Sequence, residues 1–529
     1  MKSLMKKVFA AAAAIATVFG LAATTVATAN AAGGNATLTV STKDAKFAGK
    51  TVNAYKMFSA TVSSDGGAVS HTLNDAWKPF FKNSVELTDV TDTNVNDKAN
   101  DYVSKLKDSA LTAFAAKASN WAQTKTNNIT ADATATVSKN AATDGKYTAT
   151  FTGLDYGYYV VAVPGATLAN AKSQYATLVS VHSTKVDADI KGDLPTVDKK
   201  VQVDGTGKDA TDAKIGDTLT FTLTSTIPDM SAYDTYTFNF KDTLSKGLTF
   251  GQVKSVKVEN VTLTENTDYT VTTPTASNNN TLTVAMKDFK TKQQANAGKK
   301  ITVTYTATLN ENAVVGGAGN VNSAKIQYSN NPSTNGTGES EPSKVRVFTY
   351  GFTVDKYTGD YGENATRLAG AEFTLAHKDG SAISFVQVSA GSATANAVYR
   401  VAKAGETGTT TITTPANGKV VFEGLKNGEY TLTETKAPAG YNKLASAIGV
   451  KVNGQNNGTD TTNATVTITY NNDNGNDYNQ TASNGVIPVQ NKSGAILPGT
   501  GGMGTIAFTV IGVLVIALGV AWTLKRKNA

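Results

Sequence analysis

Alternation of apolar and hydroxyl side chains is the feature of this chain that most restricts its fold. It runs through residues 218–224, 300–308 and 464–470. Because successive side chains of a strand point to opposite faces, each stretch has one apolar face and one threonine face. Clusters of Asn, Gly, Ser and Asp separate such stretches, as at 330–338 and 471–475. The pattern predicts an all-β chain of tandem immunoglobulin-like β-sandwiches.

One helical pattern interrupts the strands. Apolar residues recur at helical spacing from Tyr102 to Trp121, and Asp97 or Asn100 could cap the helix. We interpret the aromatic members of this stripe as core packing. The first sandwich is therefore expected to carry a helical insertion. The residues of the stripe are Tyr102, Val103, Leu106, Ala110, Leu111, Phe114, Ala118 and Trp121.

The N-terminal segment is typical of a secretory signal peptide. Three lysines (2, 6 and 7) precede a small-residue apolar stretch from Val8 to Ala23. Ala29-Asn30-Ala31 is a candidate cleavage site, and Ala27-Thr28-Ala29 is its alternative. We expect residues 1–31 to be the signal peptide, so that the mature chain begins near residue 32.

The C-terminal segment, 495–529, combines a short motif with a membrane anchor. The run 506–524 is apolar, uncharged and long enough to cross a bilayer as a transmembrane helix, and Lys525, Arg526 and Lys527 follow it. The motif in front of the run resembles the sorting signal of Gram-positive surface proteins. In that family a sortase cuts after the Thr, here Thr500, and passes its carboxyl group to an amine. The motif is Leu497, Pro498, Gly499, Thr500 and Gly501.

The charge of the expected mature segment gives no support for nucleic-acid binding. The whole chain has 49 Lys and Arg against 42 Asp and Glu, a net charge of +7. Three of these cations lie in the expected signal peptide and three in the expected tail, which leaves +1 for residues 32–500. No run of five or more basic residues remains in that segment.

Residues that carry redox or metal chemistry are scarce. The chain has no cysteine and three histidines, His71, His182 and His377, which lie far apart. It therefore lacks disulfides, thiolate ligands and a cysteine nucleophile. We interpret the histidines as surface or packing residues and expect neither a metal site nor a cofactor.

Two internal echoes divide the chain into three related modules. Val197-Asp198-Lys199 recurs as Val354-Asp355-Lys356, and Phe-x-Gly-Leu-x-x-Gly-x-Tyr occurs at 151–159 and at 422–430. With joints near Pro195 and Thr349, we define an N-terminal module (32–194), a middle module (195–348) and a C-terminal module (349–494).

The later echo continues into Thr431-Leu-Thr-Glu434-Thr-Lys436, which resembles the glutamate-box strand of the collagen-adhesin B-type domain. In that family a lysine on the first strand forms an isopeptide bond with an asparagine on the last strand, and the box glutamate assists. The resemblance implies that Lys356 bonds to Asn491 with the help of Glu434.

The middle module resembles the isopeptide-forming second domain of fimbrial proteins. The motifs are Pro195–Lys199, Lys241–Leu244 and Gly319–Asn322. The resemblance implies a bond between Lys199 and Asn320 assisted by Asp242, with Asn322 on the same strand face as an alternative to Asn320.

Burial explains how such a bond forms without an enzyme. Loss of water disfavours the charged forms of amine and acid, so the neutral amine becomes a nucleophile and the acid can polarise the amide and deliver a proton to the departing ammonia. Folding holds the groups together. In the N-terminal echo, Val163 stands where Glu434 stands in the later one. We therefore expect no internal isopeptide bond in the N-terminal module.

As a whole, the chain resembles the sortase-assembled major pilins of Gram-positive bacteria. The resemblance implies a structural, wall-anchored shaft subunit of a fimbrium that serves adhesion and is not an enzyme. Its implied partners are sortase, further copies of itself, peptidoglycan, minor pilins and host surface ligands. The family's usual Tyr-Pro-Lys acceptor motif is absent; Lys191 is the candidate acceptor for the next subunit, and Lys185 is the alternative. A monomeric wall-anchored adhesin is the alternative function.

Overall fold

The computed structural model describes residues 35–494, except 64–67, 128, 140–144, 169–170, 333, 456–463 and 473–476. Within this part of the chain, no helix is long and apolar enough to span a membrane. The predicted signal peptide and the predicted transmembrane helix at 506–524 lie outside the described residues. Strands dominate, as the alternation predicts, and their pairing groups by the three ranges defined from the sequence.

The N-terminal module contains two sheets with helices between strands β3 and β4. The sheet orders are β5-β6-β1-β9 and β3-β2-β7-β8, and β4 pairs with β2. Strands β1 and β9 are parallel. In chain order, β1 to β9 are Ala36–Thr42, Thr51–Val62, Val69–Leu73, Ala133–Thr136, Ser138–Lys139, Tyr147–Leu154, Gly157–Thr167, Gln174–Val181 and Lys185–Asp189. Helices α1 to α3 are Lys78–Asn83, Val95–Ser104 and Asp108–Gln123.

The prediction of a single helix from Tyr102 to Trp121 was wrong, because the apolar residues of the stripe are divided between two helices, α2 and α3. The break falls where Asp108 takes a left-handed backbone conformation with a φ of 48°. Neither predicted cap precedes a helix: Asp97 lies in the first turn of α2, and Asn100 donates from inside α2 to His71 O over 3.2 Å. Helical spacing continues across the break, so the apolar pattern alone does not reveal it.

The middle module also has two facing sheets. Their orders are β11-β10-β13-β19-β15-β16 and β12-β22-β20-β14-β18-β17, with β21 paired to β20. Strands β10 to β22 are Asp198–Val203, Thr206–Lys208, Ala210–Asp212, Thr218–Thr226, Phe238–Leu244, Leu248–Val258, Val261–Thr262, Tyr269–Thr272, Thr281–Met286, Lys300–Leu309, Asn320–Ser329, Thr337–Glu339 and Ser343–Phe348. A short helix, α4, spans Phe289–Gln293.

The C-terminal module repeats the two-sheet plan. Its orders are β24-β23-β29-β27-β26, with β34 beside β23, and β28-β25-β30-β31-β32-β33. The first and last strands, β23 and β34, are parallel neighbours. Strands β23 to β34 are Tyr350–Thr358, Thr366–Arg367, Glu372–His377, Phe385–Ser389, Ala397–Val401, Ile412–Thr413, Lys419–Leu425, Gly428–Lys436, Ile448–Gln455, Thr465–Asn471, Gln480–Thr481 and Val486–Gln490.

The two copies of the longer echo fold alike. Gly153 and Gly424 both adopt positive φ, at 72° and 84°, where glycine has no steric cost. The tyrosine that ends each copy donates its hydroxyl to the backbone carbonyl four residues upstream: Tyr159 to Asp155 over 2.8 Å, and Tyr430 to Lys426 over 2.7 Å. The sequence repeat therefore corresponds to one repeated turn that connects the two sheets of a sandwich, from β6 to β7 and from β29 to β30.

Side chains and backbone also link neighbouring modules. Gln174 donates to the Asp229 carbonyl over 2.5 Å at the first joint. At the second joint, the backbone N–H of Asn427 donates to Asp212 over 2.7 Å, and Lys403 pairs with Glu311 at 2.5 Å.

Candidate functional site

The middle module encloses Lys199, Asp242 and Asn322 between its two sheets. Lys199 lies on β10, Asp242 on β14 and Asn322 on β20, and each is 0% exposed. Lysine and aspartate are almost never fully buried unless they are paired. The interior of this sandwich therefore holds a polar cluster whose burial needs a specific explanation.

Strand alternation brings the lysine inward. On β10, Asp198 is exposed, Lys199 is buried and Val201 is buried, so Lys199 occupies a core position of the pleat. Its ammonium lies 5.1 Å from the ring centroid of Phe221 and 5.2 Å from that of Tyr305. These two rings stack with centroids 5.3 Å apart. The aromatic pair excludes water from the lysine.

Tyr305 connects all three members of this cluster. Lys199 Nζ makes a direct ion pair with Asp242 Oδ2 and also donates to the Tyr305 hydroxyl over 2.9 Å. The Tyr305 hydroxyl donates to Asp242 Oδ2 over 2.6 Å and accepts from Asn322 Nδ2 over 2.6 Å. The sequence analysis missed Tyr305; the only signal was its inward position in the alternating run 300–308.

Asn320, the first choice from sequence, does not join the cluster. Its Oδ1 accepts from the Val314 backbone N–H over 2.9 Å, and its Nδ2 donates to the carbonyls of Val314 and Val347 over 3.2 and 3.1 Å. A Cβ at Gly247 would lie 2.2 Å from its Oδ1, so the amide sits in a tight turn. In the structure, the alternative, Asn322, rather than Asn320 therefore joins Lys199 and Asp242 in the buried cluster.

The C-terminal module brings together Lys356, Glu434 and Asn491, the three residues implied by the sequence. Lys356 Nζ lies 3.4 Å from Glu434 Oε1, and both side chains are 0% exposed. Asn491, 1% exposed, donates Nδ2 to Glu434 Oε2 over 3.0 Å. Lys356 also donates to the Val489 carbonyl over 3.2 Å.

Parallel pairing of β23 and β34 sets this arrangement. Lys356 is the register partner of Val489, and the backbone N–H of Asn491 donates to the Tyr357 carbonyl over 3.0 Å. On the other face of β23, the buried Asp355 binds the Arg367 guanidinium through two contacts, of 2.7 and 2.9 Å. This bidentate pair fixes the strand beside Lys356.

Burial gives both lysines an unusual acidity. Loss of hydration lowers the pKa of Lys199 from 10.5 to about 8, although the Asp242 charge opposes the change. Desolvation likewise lowers the pKa of Lys356 to about 8 against the opposing charge of Glu434. A larger share of each amine is therefore neutral and nucleophilic near neutral pH.

Several acceptor atoms in these clusters receive no hydrogen bond from any residue that the structure describes. They are Asp242 Oδ1, Asn322 Oδ1, Glu434 Oε1 and Asn491 Oδ1. If each carboxyl group takes the proton of its lysine, it gains a donor that can reach an amide oxygen. The same transfer leaves a neutral amine in the same buried cluster as the amide. The arrangement can therefore support amide formation with loss of ammonia.

The N-terminal module is different. Within its described residues between 35 and 194, no Lys, Arg, Asp or Glu side chain is buried. Val163, which replaces the box glutamate, is buried at 1% exposure. The ion pairs of Lys46 with Asp193 and of Lys56 with Asp155 lie at the surface.

The two candidate acceptor lysines are exposed near the end of the N-terminal module. Lys185 begins β9, and Lys191 follows the end of that strand by two residues. The adjacent Gly192 is required by packing, because a Cβ there would lie 2.5 Å from Tyr175 Cγ. The predicted sorting motif, 497–501, lies outside the described residues. Within those residues, no cluster of three or more His, Asp or Glu could hold a metal ion.

Comparison with known proteins assigns two segments to families. Residues 215–332 match the Gram-positive pilin backbone subunit 2, Cna-B-like domain. Residues 358–467 match the SpaA prealbumin-like fold domain. The first segment contains Asp242, Tyr305 and Asn322, and the second contains Glu434.

A curated relative is the trypsin-resistant surface T6 protein of Streptococcus pyogenes serotype M6. It is 26% identical over 278 residues, which are 47% of this chain and 44% of the relative. The match thus spans less than half of the relative's length.

Solved structures that resemble this chain are major pilins. The T6 backbone pilin of S. pyogenes has a TM-score of 0.46 at 17% identity and covers 87% of this chain and 98% of its own. SpaD of Corynebacterium diphtheriae has a TM-score of 0.42 at 19% identity with the same coverages. Residues 215–332 of this chain thus match a domain of Gram-positive pilin backbone subunits, and residues 358–467 match a SpaA prealbumin-like fold domain.

Proposed function

We propose that this chain is the structural shaft subunit of a covalently polymerised pilus anchored to the cell wall. Three sandwich domains, corresponding to the three modules, form each unit. A sortase joins Thr500 of one copy to a lysine of the next, Lys191 in the first instance, and a repeated head-to-tail contact of this kind builds an open filament. The pilus presents adhesive surfaces to the host, and its base is linked to peptidoglycan.

The observation that carries the proposal is the pair of buried Lys–acid–Asn clusters. Each would close once, through attack of the lysine Nζ on the Asn side-chain carbon. A new amide bond forms, the bond to Nδ2 breaks, and that nitrogen leaves as ammonia after accepting a proton from the acid. The protein supplies all reacting groups, so it modifies itself without turnover.

Mechanical resistance follows from the positions of the bonds. In the C-terminal module the bond would join β23 to the end of β34, the first and last strands. In the middle module it would join β10 to β20. Because unfolding under tension is governed by the rate of strand separation, covalent ties across a sandwich prevent the enclosed segment from extending. Such ties suit a shaft in a chain without disulfides.

Two measurements test the proposal. The mature protein should weigh less than its sequence requires by two ammonia molecules, one lost in Lys199→Ala and the other in Lys356→Ala. Expressed with its sortase, the chain should form an SDS-resistant ladder, which a monomeric adhesin would not form. A measured mass equal to that of the unmodified sequence, together with only monomer bands on a denaturing gel, would overturn the proposal.

A further inference from the structure

Tyr305 differs from the other buried tyrosines of the middle module in the polar groups that surround its hydroxyl. Its hydroxyl lies within 2.6 Å of Asp242 Oδ2, 2.6 Å of Asn322 Nδ2 and 2.9 Å of Lys199 Nζ. It therefore contacts the attacking nitrogen, the acid and the leaving nitrogen at once.

The contact between the acid and the leaving nitrogen differs between the two clusters. In the C-terminal module, Glu434 Oε2 touches the leaving nitrogen, Asn491 Nδ2, directly at 3.0 Å. In the middle module, the hydroxyl of Tyr305 stands between Asp242 Oδ2 and Asn322 Nδ2. A proton that starts on Asp242 Oδ2 has a hydrogen-bonded path to the leaving nitrogen through this hydroxyl.

We propose that Tyr305 is a catalytic residue of the middle module, where it relays a proton from Asp242 to the departing Asn322 nitrogen. This inference rests on the proposed isopeptide chemistry. Lys199 first passes its ammonium proton to Asp242 Oδ2. Its neutral Nζ then attacks Asn322 Cγ to give a tetrahedral adduct.

Collapse of the adduct uses the relay. Asp242 Oδ2–H donates to the Tyr305 oxygen while the Tyr305 hydroxyl proton moves to Asn322 Nδ2, so tyrosine is unchanged at the end. The Cγ–Nδ2 bond breaks with its electron pair on nitrogen. Nζ returns its surplus proton to Asp242, and the products are one amide and one ammonia.

The environment keeps Tyr305 in its protonated form. Burial, together with the nearby charge of Asp242, raises its pKa well above 10. Stacking on Phe221 and packing near Phe250, at centroid distances of 5.3 and 6.1 Å, hold the ring in place. A fixed, neutral hydroxyl has the properties that a relay requires.

The test uses chains recovered unreacted from inclusion bodies, refolded and followed by intact mass. In Tyr305→Phe the ring and its stacking remain, and we expect middle-bond closure to slow by roughly 100-fold or more. The C-terminal bond in the same chain should close at the wild-type rate, which shows that the C-terminal module folds, and denaturant unfolding checks the middle module. Tyr236→Phe is the matched control, since the Tyr236 hydroxyl has no hydrogen-bond partner among the described residues.

The outcomes separate the relay from the chemistry on which it rests. Closure of the Lys199–Asn322 bond in Tyr305→Phe at the wild-type rate, located by peptide mapping, would overturn the relay. A wild-type chain that never loses the middle ammonia would instead contradict the proposed bond itself.

If the middle module of Tyr305→Phe does not fold, a second experiment measures the closure rate of the wild-type chain at several deuterium fractions of the solvent. A curved dependence indicates two protons in transfer and supports the relay, whereas a linear or flat one contradicts it.

Discussion

Asn491 donates its side-chain N–H to Glu434 Oε2 across 3.0 Å inside the C-terminal sandwich. The same oxygen accepts the backbone N–H of Leu444 over 2.8 Å, which fixes the carboxyl group. Glu434 thus faces the nitrogen that would leave under the proposed chemistry, and its other oxygen faces Lys356. The acid is in contact with both the amine and the amide of the proposed bond.

Glu434→Gln is therefore expected to block closure of the C-terminal bond, because glutamine can neither take the lysine proton nor return it. After allowance for the substitution, the mature chain should weigh one ammonia more than the wild type. Intact mass measures this directly. Glu429→Gln is the control on the same strand, since Glu429 is part-exposed and pairs with Lys451 at 3.1 Å; it should retain both losses. Closure in Glu434→Gln would contradict the assigned role.

The two asparagines of β20 should behave differently. Asn322→Ala removes the amide that shares the buried cluster with Lys199, so the middle bond should be absent and one ammonia retained. Asn320→Ala should still lose two ammonia molecules, although loss of its buried hydrogen bonds should lower the free energy of unfolding by about 1–3 kcal/mol. Mass and denaturant unfolding separate these effects. If Asn320→Ala retains one ammonia and Asn322→Ala does not, Asn320 is the bonded asparagine instead of Asn322.

Resemblance to known domains singled out Lys199, Lys356 and Glu434 in the sequence. Strand alternation on β10 and β23 accounts for the inward position of both lysines in the structure. These features are local to one strand, where the period of two fixes which face each residue occupies. The repeated turn between the two sheets was detectable because its motif is also local in the sequence.

Contacts between strands were harder to predict. Asn320 and Asn322 share a face of β20, so their choice depends on how far along the facing sheet Lys199 lies. Tyr305 is one of several inward aromatic residues, and only the packed structure shows that its hydroxyl meets three polar groups. The helix break at Asp108 was hidden because the apolar spacing stays in phase across it.

Closure of the middle bond should depend on pH through the proton that Lys199 brings to the cluster. Because burial lowers the pKa of Lys199 to about 8, the amine holds this proton below that value and can pass it to Asp242, whereas above that value the share of molecules that still hold it falls about tenfold per pH unit. The rate of closure after refolding, followed by mass between about pH 6 and about pH 9, should therefore be level at low pH and decline above about pH 8. A rate that stays level up to the ordinary lysine pKa of 10.5 would contradict a depressed pKa.

Loss of the C-terminal bond should destabilise its module strongly. Asn491→Ala leaves the Lys356–Glu434 pair in place but frees a loop of about 135 residues, for which chain entropy gives about 5 kcal/mol. Guanidinium unfolding should show this decrease. Asn471→Ala is the matched control, because Asn471 is a buried asparagine of the same sandwich that accepts from the Gly449 N–H over 3.1 Å. Asn471→Ala should lower the free energy of unfolding by about 1–3 kcal/mol. If both variants lower it equally, the cross-link does not stabilise the module.

The acceptor for the next subunit should be Lys191 rather than Lys185. Lys185 is fixed within β9 by parallel pairing with Thr37 on β1, whereas Lys191 lies beyond the last paired residue, Asp189. An acceptor amine must reach a thioester or ester carbon inside a sortase, and a strand end gives more access than a paired strand. In cells with the sortase, Lys191→Ala should abolish the SDS-resistant ladder and Lys185→Ala should preserve it. Both variants should still lose two ammonia molecules, which shows that folding is intact. A ladder that survives Lys191→Ala and disappears in Lys185→Ala would transfer the role to Lys185.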